Sequence, residues 1–411
     1  MQLTKEGYRL SENINPISLC QKYGTPIYVY DAHLFERQYL RMKNAFDVPN
    51  LKLNYAVKAL SNINVLKFFR QLGAGLDCVS IQEIEIGLMA GFPPNNIIFT
   101  PSSVSLQEMR LAQAKGVRIN IDSIPMLELF ASEFPDLPIG LRFNPHVFAG
   151  GNRKISVGHI NSKFGISVHQ LPHVLRIVKR LNLNIEGVHI HTGSDILDTD
   201  VFLAATEILF NTAKEFDNLD YIDFGSGFKV GYKEGDIETD IELLGQKFSK
   251  RFNQFCKEYG KELTLMFEPG KYLVSQAGSF LVQTNIVKQT TAAVFAGVNS
   301  GLNHLIRPMF YDAYHHIVNI SNPYGKKRIY SIVGYICETD TFGVDRQISE
   351  IKEGDYLAIL NAGAYGFMMA SNYNSRLRPA EILVYKGNDY LIRKAENLDD
   401  LLRNQEIIDI F

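Results

Sequence analysis

Between about residue 50 and residue 270, short apolar runs alternate eight times with longer amphipathic stretches, and this repeat constrains the fold most strongly. The strand-like runs begin at Leu51, Ala74, Asn96, Val117, Ile139, Ile185, Leu219 and Leu263. The intervening segments, such as SIQEIEIGLMAG and SLQEMRLAQAKG, have apolar residues at three- and four-residue spacing and a glycine near the end, as helices do. The pattern predicts an α/β fold, either a closed parallel (β/α)8 TIM barrel or an open doubly wound sheet.

The positions of the polar residues favour the barrel. They cluster where the predicted strands end, at Lys58, Asp77, Asn144, His191, Gly225 to Gly227 and Glu268. In a (β/α)8 barrel the carboxyl ends of all the strands meet at one face, and that face carries the active site. We therefore expect these residues to lie together at the mouth of a barrel.

After about residue 272 the pattern changes to strands without intervening helices. Segments such as SFLVQTNIVKQ, RIYSIVGYICE and EILVYKGNDYLIR predict a second, antiparallel β domain, with a hairpin that turns at Gly387-Asn388. The early strand TPIYVYD is expected to join this sheet, and AENLDDLLRNQEIIDIF is expected to form a terminal helix. The predicted domains are a barrel over 32–272 and a β domain made of 1–31 and 273–411.

Charge and composition exclude several classes of protein. There are 42 lysines and arginines against 44 aspartates and glutamates, so no global basic field attracts nucleic acid or an anionic membrane. No run approaches the length of a membrane-spanning helix, and the N-terminus lacks the apolar core of a signal peptide, so we expect a cytoplasmic protein. The four cysteines, Cys20, Cys78, Cys256 and Cys337, form no CxxC pair and predict neither a disulfide framework nor a zinc ribbon.

Lys58, in the motif YAVKA, and the histidines of HIHTGS are candidates for chemistry. A partly desolvated lysine at a barrel mouth can form a Schiff base with a carbonyl such as that of pyridoxal phosphate, although a strand-end lysine can also simply lie in solvent. Strand alternation places His189 and His191 on the same side. They could ligate a metal, one could lie on a cofactor ring while Ser194 binds phosphate, or they could be hydrogen-bonded core histidines.

Two further motifs follow the seventh and eighth strands. In DFGSGF, Gly225 and Gly227 let the backbone approach a ligand and its amides bind an anion, at the position where barrels commonly bind phosphate. In FEPGKYL, Glu268 could pair with a protonated pyridine nitrogen, ligate a metal or form a structural ion pair. One cofactor, pyridoxal phosphate, would use all four features: the lysine, a histidine, the glycine loop and the glutamate.

The order of the motifs resembles that of a known family. YAVKA, SKFG (162–165), HIHTGS, DFGSGF and EPGK are followed by GLNHLIRPMFYDAYHHI, GYICETDTF and NAGAYGFMMASNYNSRLRPAEIL. Over nearly the whole chain this is similar to the diaminopimelate decarboxylases, members of the alanine-racemase-like, fold type III pyridoxal-phosphate enzymes. Ornithine decarboxylases resemble the barrel motifs but lack the arginine-rich signature seen here.

The resemblance implies roles for individual residues. Lys58 would carry the cofactor as a Schiff base, His191 would stack on its ring and Glu268 would meet its ring nitrogen. Other implied cofactor contacts are Ser194, Gly227, Gly270, Lys271 and Tyr365. The retained carboxylate of the substrate would be bound by Lys271, Arg307 and Tyr311, and its distal ammonium by Glu338. Tyr365 would contact both substrate and cofactor. Cys337 would reprotonate the carbanion that decarboxylation leaves. The family also implies a homodimer with shared active sites, in which Cys337 and Glu338 reach the partner's Lys58.

Three positions depart from the family pattern. Lys271 stands where arginine is usual. A lysine ammonium, which acts as a point charge, thus replaces a guanidinium that can bind a carboxylate through two hydrogen bonds. Ser226 replaces the middle glycine of a triple-glycine loop, and Gln82 replaces a glycine in VSIQEIE, where Glu83 is expected to keep a structural or ring-proximal role.

The resemblance predicts pyridoxal-phosphate-dependent decarboxylation of meso-2,6-diaminopimelate to L-lysine and CO2, the last step of lysine biosynthesis, without a metal. One alternative is a decarboxylase of a related substrate such as carboxynorspermidine or a siderophore intermediate. Another is a metal-dependent barrel hydrolase that uses His189, His191, Asp223 and Glu268. A catalytically dead regulator of the same fold is the third, and the presence of both Lys58 and Cys337 argues against it.

Overall fold

The computed structural model describes residues 1–147, 162–191, 193, 199–233 and 235–410. The chain divides into two compact units. One, here called the barrel unit, comprises Glu36–Gly231 and Ile237–Leu273. The other, here called the β unit, comprises Met1–Phe35, Tyr232–Asp236 and Val274–Phe411.

The barrel unit is built on eight parallel strands. In chain order and in order of pairing they are Leu51–Ala56, Gly75–Cys78, Ile97–Phe99, Arg118–Ile121, Ile139–Asn144, Ile185–Ile190, Tyr221–Asp223 and Thr264–Phe267. The last strand pairs with the first, so the sheet is closed. A further two-residue strand, Ile166–Ser167, pairs with the end of the fifth. The structure confirms the predicted (β/α)8 barrel, and each strand overlaps its predicted run.

Helices follow the barrel strands, at bounds that local sequence signals explain. The helices are Ala32–Ala45, Ile63–Leu72, Ile81–Met89, Leu106–Ala114, Ile124–Glu133, Leu171–Leu181, Thr199–Ala213, Ile241–Tyr259 and the short Lys271–Val274. The side chains of Ser80, Ser105 and Asp240 accept hydrogen bonds from the first turns of their helices. Within the described ranges, no helix is both long and apolar enough to cross a membrane.

Two glycines make room for a large side chain inside the barrel. A Cβ at Gly187 would lie 2.1 Å from the Tyr221 ring, and one at Gly140 would lie 2.3 Å from its hydroxyl. The fully buried Tyr221 hydroxyl donates a hydrogen bond of 2.9 Å to Asn120 Oδ1, so its polar atom is satisfied. The interior at this level is therefore packed and hydrogen-bonded rather than open.

The β unit contains eleven strands among the described residues. They are Gln2–Thr4, Gly7–Arg9, Ile27–Asp31, Gly278–Gln289, Val294–Val298, Ile317–Asn319, Lys327–Val333, Thr341–Ser349, Tyr356–Leu360, Ala380–Tyr385 and Asn388–Arg393. Its helices are Pro16–Tyr23, Arg307–Tyr311 and Leu398–Leu402.

The large sheet of the β unit is mostly antiparallel. Gly278–Gln289 is its central strand and pairs antiparallel with Ile27–Asp31, Val294–Val298 and Tyr356–Leu360. Two pairings are parallel, one between Ile27–Asp31 and Ala380–Tyr385 and one between Val294–Val298 and Lys327–Val333. The predicted second domain is thus rich in antiparallel pairs, but the sheet is mixed.

Two local predictions in the β unit are wrong in detail. The hairpin turns at Lys386 and Gly387, both with positive φ, because Tyr385 pairs directly with Asn388. The expected terminal helix is only Leu398–Leu402. Beyond it Ile407 is 97% exposed, so no packed apolar face stabilises further turns in the described segment.

Candidate active site

Lys58 lies where the first barrel strand ends, in the 3-10 turn Val57–Ala59. Its Nζ is 3.1 Å from Oδ2 of Asp77, which belongs to the second strand and is buried. The Lys58 side chain is 39% exposed. Burial and the charge of Glu268 raise the pKa of Asp77, while Lys58 opposes that rise. The mouth of the barrel thus holds a lysine against a buried carboxyl group.

Glu268 follows the eighth strand and forms a buried pair with His189. Its Oε2 is 3.0 Å from His189 Nε2, and its carboxylate also makes a side-chain hydrogen bond with buried Asp223. Burial alone would raise the pKa of Glu268, but His189 and Lys58 outweigh it and hold the pKa below its ordinary value. Burial and the Glu268 charge raise the pKa of neighbouring Asp223. Glu268 is therefore the ionised member of this carboxyl pair.

His191 is oriented by the glycine loop after the seventh strand. The Ser226 backbone N–H donates to His191 Nδ1 at 3.2 Å, so the imidazole accepts at that nitrogen. Burial, together with the charges of Lys58 and Arg142, lowers the pKa of His191 well below its ordinary value. A Cβ at Gly225, where φ is +60°, would lie 2.7 Å from His191 Nδ1, so this approach requires glycine. Gly227 also has a positive φ, of 127°.

The other predicted residues of the barrel unit have different surroundings. Gly270 lies against the first strand, where an added Cβ would be 3.1 Å from that of Ala56. Lys271 begins the short helix that follows and is half-buried. Ser194 lies outside the described residues.

Arg307, in the β unit, is held among aromatic and imidazole groups. It begins the helix Arg307–Tyr311 and is 9% exposed. Its Nε donates to His315 Nε2 and its Nη2 to the Tyr232 hydroxyl, each at 3.4 Å. The guanidinium carbon also lies 5.6 Å from the Tyr232 ring centroid and 5.9 Å from that of Tyr311. The structure therefore joins two predicted substrate residues, Arg307 and Tyr311, and adds Tyr232 and His315.

Cys337 and Glu338 lie in an exposed loop of the β unit. Cys337 Sγ is 3.1 Å from Asn374 Nδ2, and the Tyr373 hydroxyl donates to Glu338 Oε1 at 2.7 Å. The buried Asp340 carboxylate accepts backbone hydrogen bonds from Ile336 and Leu302, which fixes the start of this loop.

Tyr365 is half-buried and has a φ of +55°, which is uncommon for a residue with a side chain.

Four residues with contacts in these clusters have no role predicted from the sequence: His315, Tyr232, Tyr373 and Asn374. Apart from lying inside or near the quoted motifs, they carry no pattern in one sequence that reveals their partners.

The alternative of a metal site has a geometric basis. Ligand atoms of His189, Asp223 and Glu268 lie within 4.8 Å of one another, and all three residues are buried. His191, the fourth residue of that hypothesis, is not part of this cluster. Its Nδ1 accepts a hydrogen bond from the Ser226 amide. Geometry alone leaves a pyridoxal site and a cation site both open.

Comparisons with known proteins distinguish these two possibilities. Residues 32–275 match the family described as "Pyridoxal-dependent decarboxylase, pyridoxal binding domain". Diaminopimelate decarboxylase of Methanothermobacter thermautotrophicus is 38% identical, over 99% of this chain and 97% of that protein.

Solved structures agree with this relationship. Diaminopimelate decarboxylase of M. jannaschii in complex with L-lysine has a TM-score of 0.90 at 29% identity and covers 99% of this chain and 98% of its own. Diaminopimelate decarboxylase of Helicobacter pylori in complex with L-lysine has a TM-score of 0.86 at 31% identity. The match covers 95% of this chain and 98% of that chain. This chain therefore belongs to the pyridoxal-dependent decarboxylases, and the relatives named above are diaminopimelate decarboxylases.

Proposed function

We propose that this chain catalyses the pyridoxal-phosphate-dependent decarboxylation of meso-2,6-diaminopimelate to L-lysine and CO2, the last step of lysine biosynthesis. The observation that carries the proposal is the buried, ionised Glu268, whose carboxylate oxygens are held at the barrel mouth by His189. A protonated pyridine nitrogen is a group that such an oxygen can accept from.

The described residues fit pyridoxal phosphate. Lys58 would bind the cofactor aldehyde covalently, and the neutral His191 would lie on its ring. The amides of the Gly225–Gly227 loop suit a phosphate, since glycine backbone can approach it closely. Gly270, Lys271, Tyr365 and Ser194 complete the set that the family implies. On this basis the buried acids and histidine at the barrel mouth serve a cofactor rather than a metal.

When bound, pyridoxal phosphate supplies an electron sink for the electron pair left by the departing carboxylate. Glu268 would keep a proton on the pyridine nitrogen, because its ionised carboxylate would stabilise the positive charge there. Asp77 Oδ2 lies 3.1 Å from Lys58 Nζ and would hold this side chain at the barrel mouth until it binds the cofactor. Cys337 Sγ would deliver a proton to the carbon that has lost CO2, so that one carboxylate leaves and one hydrogen takes its place.

Substrate binding requires groups of both charges. Diaminopimelate carries two ammonium and two carboxylate groups, and the retained carboxylate would meet Arg307, Tyr311 and Lys271. Glu338 would bind the distal ammonium. Arg307 supports this assignment because it is nearly buried and already oriented by neutral partners.

We also propose a homodimer with shared active sites, in which Cys337 and Glu338 reach the partner subunit's Lys58. Support comes from the exposure of Cys337 and Glu338, which would leave a proton donor in open solvent in an isolated chain. Lys58→Ala and Cys337→Ala should each be nearly inactive. When they are mixed and exchange subunits, half the dimers carry one intact site of two, so about a quarter of the activity should return. No recovery after verified exchange would refute the shared site.

We take the pyridoxal-binding domain as residues 32–272 and the second domain as 1–31 with 273–411. The family match over 32–275 supports these limits. The substrate and product are small metabolites of amino-acid synthesis, which agrees with the cytoplasmic location expected from the sequence.

Two measurements test the function. The purified protein should absorb visible light as a Schiff base, and borohydride should bleach it and fix the cofactor on Lys58. Bound zinc without such absorbance would support the barrel hydrolase instead. A competition assay should then favour diaminopimelate over carboxynorspermidine; the opposite preference would support the related decarboxylase.

A further inference from the structure

His315 is fully buried and contacts Arg307, yet no catalytic role accounts for it. Its Nε2 lies 3.4 Å from Arg307 Nε, and its Nδ1 lies 2.9 Å from the Leu360 carbonyl oxygen. The ring also packs edge-on against Tyr232, with centroids 5.5 Å apart. The imidazole thus bridges the backbone of a sheet strand and a guanidinium group.

These contacts fix the protonation of the imidazole. A guanidinium N–H can only donate, so His315 Nε2 has to accept and carries no proton. A carbonyl oxygen can only accept, so the proton lies on Nδ1. Burial and the Arg307 charge lower the pKa of His315 to about 3, in agreement with a neutral ring. His315 is therefore a permanent acceptor for Arg307.

We propose that His315 is a positioning residue that orients Arg307 for the retained substrate carboxylate, an inference that rests on the proposed function. Guanidinium has five N–H groups. In the described part of the chain, His315 and Tyr232 take one each, on Nε and Nη2. The carboxylate is then bound through the remaining N–H groups of Nη1 and Nη2.

A neutral partner suits this task better than an acidic one. A carboxylate at this position would neutralise Arg307 and compete with the substrate carboxylate. A neutral imidazole orients the guanidinium but leaves its positive charge for the ligand. Because the Arg307 guanidinium is already oriented before the substrate arrives, less side-chain entropy is lost when the substrate binds.

Two substitutions separate the contacts of His315. In His315→Gln the distal oxygen takes the place of Nε2 and can accept from Arg307. In His315→Asn the shorter amide keeps the donor to Leu360 but does not reach Arg307. Should His315→Asn not fold, His315→Ser replaces it.

Affinities of the holoenzyme for L-lysine and for cadaverine, measured by calorimetry, give the decisive comparison. Cadaverine is L-lysine without its carboxylate. In His315→Asn we expect about tenfold weaker L-lysine binding but cadaverine binding within about twofold of wild type. The KM for diaminopimelate should rise by a similar factor with kcat nearly unchanged, and His315→Gln should restore both.

Equal weakening of both ligands in His315→Asn, or no weakening of either, would overturn the positioning role. A merely structural defect has no reason to distinguish the two ligands. If wild-type holoenzyme neither binds L-lysine nor consumes diaminopimelate, the proposed function fails instead, so the two failures are distinguishable.

Discussion

Glu268→Gln should retain the cofactor but lose most of the decarboxylation rate. The amide preserves size and can still contact His189, which lies 3.0 Å from Oε2 in the native protein. What it removes is a buried negative charge, held ionised by His189 and Lys58. A hydrogen bond to a charged group contributes about 1.5–3 kcal/mol. At about 1.36 kcal/mol per factor of ten, kcat should fall roughly 10- to 150-fold.

Steady-state kinetics at saturating cofactor, with the cofactor content measured from absorbance, would test this value. Asp223→Asn is a matched control, because burial and the Glu268 charge raise the pKa of Asp223 and keep it protonated. It should lose much less activity than Glu268→Gln. A Glu268→Gln enzyme with full cofactor and a kcat within about threefold of wild type would show that Glu268 is structural.

Three other substitutions test separate parts of the site. Lys58→Ala should abolish turnover and covalent cofactor attachment, whereas Lys52→Ala, in the strand that precedes Lys58, should keep the attachment. A borohydride-fixed cofactor on another lysine would contradict this. Lys271→Arg should preserve or tighten substrate binding, because arginine offers two hydrogen bonds to a carboxylate, and a large rise in KM would favour a differently shaped substrate. Burial raises the pKa of Glu83 to about 7, so the folded protein loses stability as pH rises from the ordinary carboxyl value towards 7. Glu83→Gln should therefore raise Tm more at about pH 8 than at about pH 5, and an equal change at both would refute the buried carboxyl argument.

The barrel could be predicted because its signals are local and repeated. Each strand is a short apolar run, and several helices show apolar residues at three- and four-residue spacing with a glycine near the end. Polar residues at strand ends identified Lys58 and Glu268, since parallel strands in a barrel end at a common face.

Other features depend on contacts between distant segments and could not be predicted. Glu268 pairs with His189, which lies 79 positions earlier in the chain, and this pairing is not visible in the motif FEPGKYL. His315 stands in an ordinary YHHI segment, and only the fold brings it to Leu360 and Arg307. The prediction of a long terminal helix was wrong for a related reason. An apolar pattern gives a stable helix only where another surface of the protein covers its apolar face.

The most direct test of the central claim is product analysis with purified holoenzyme and meso-diaminopimelate. We predict that L-lysine and CO2 form in equal amounts, at a rate that depends on pyridoxal phosphate and on Lys58. Absence of both products from the cofactor-loaded protein, or release of CO2 from a different amino acid in preference to diaminopimelate, would contradict it.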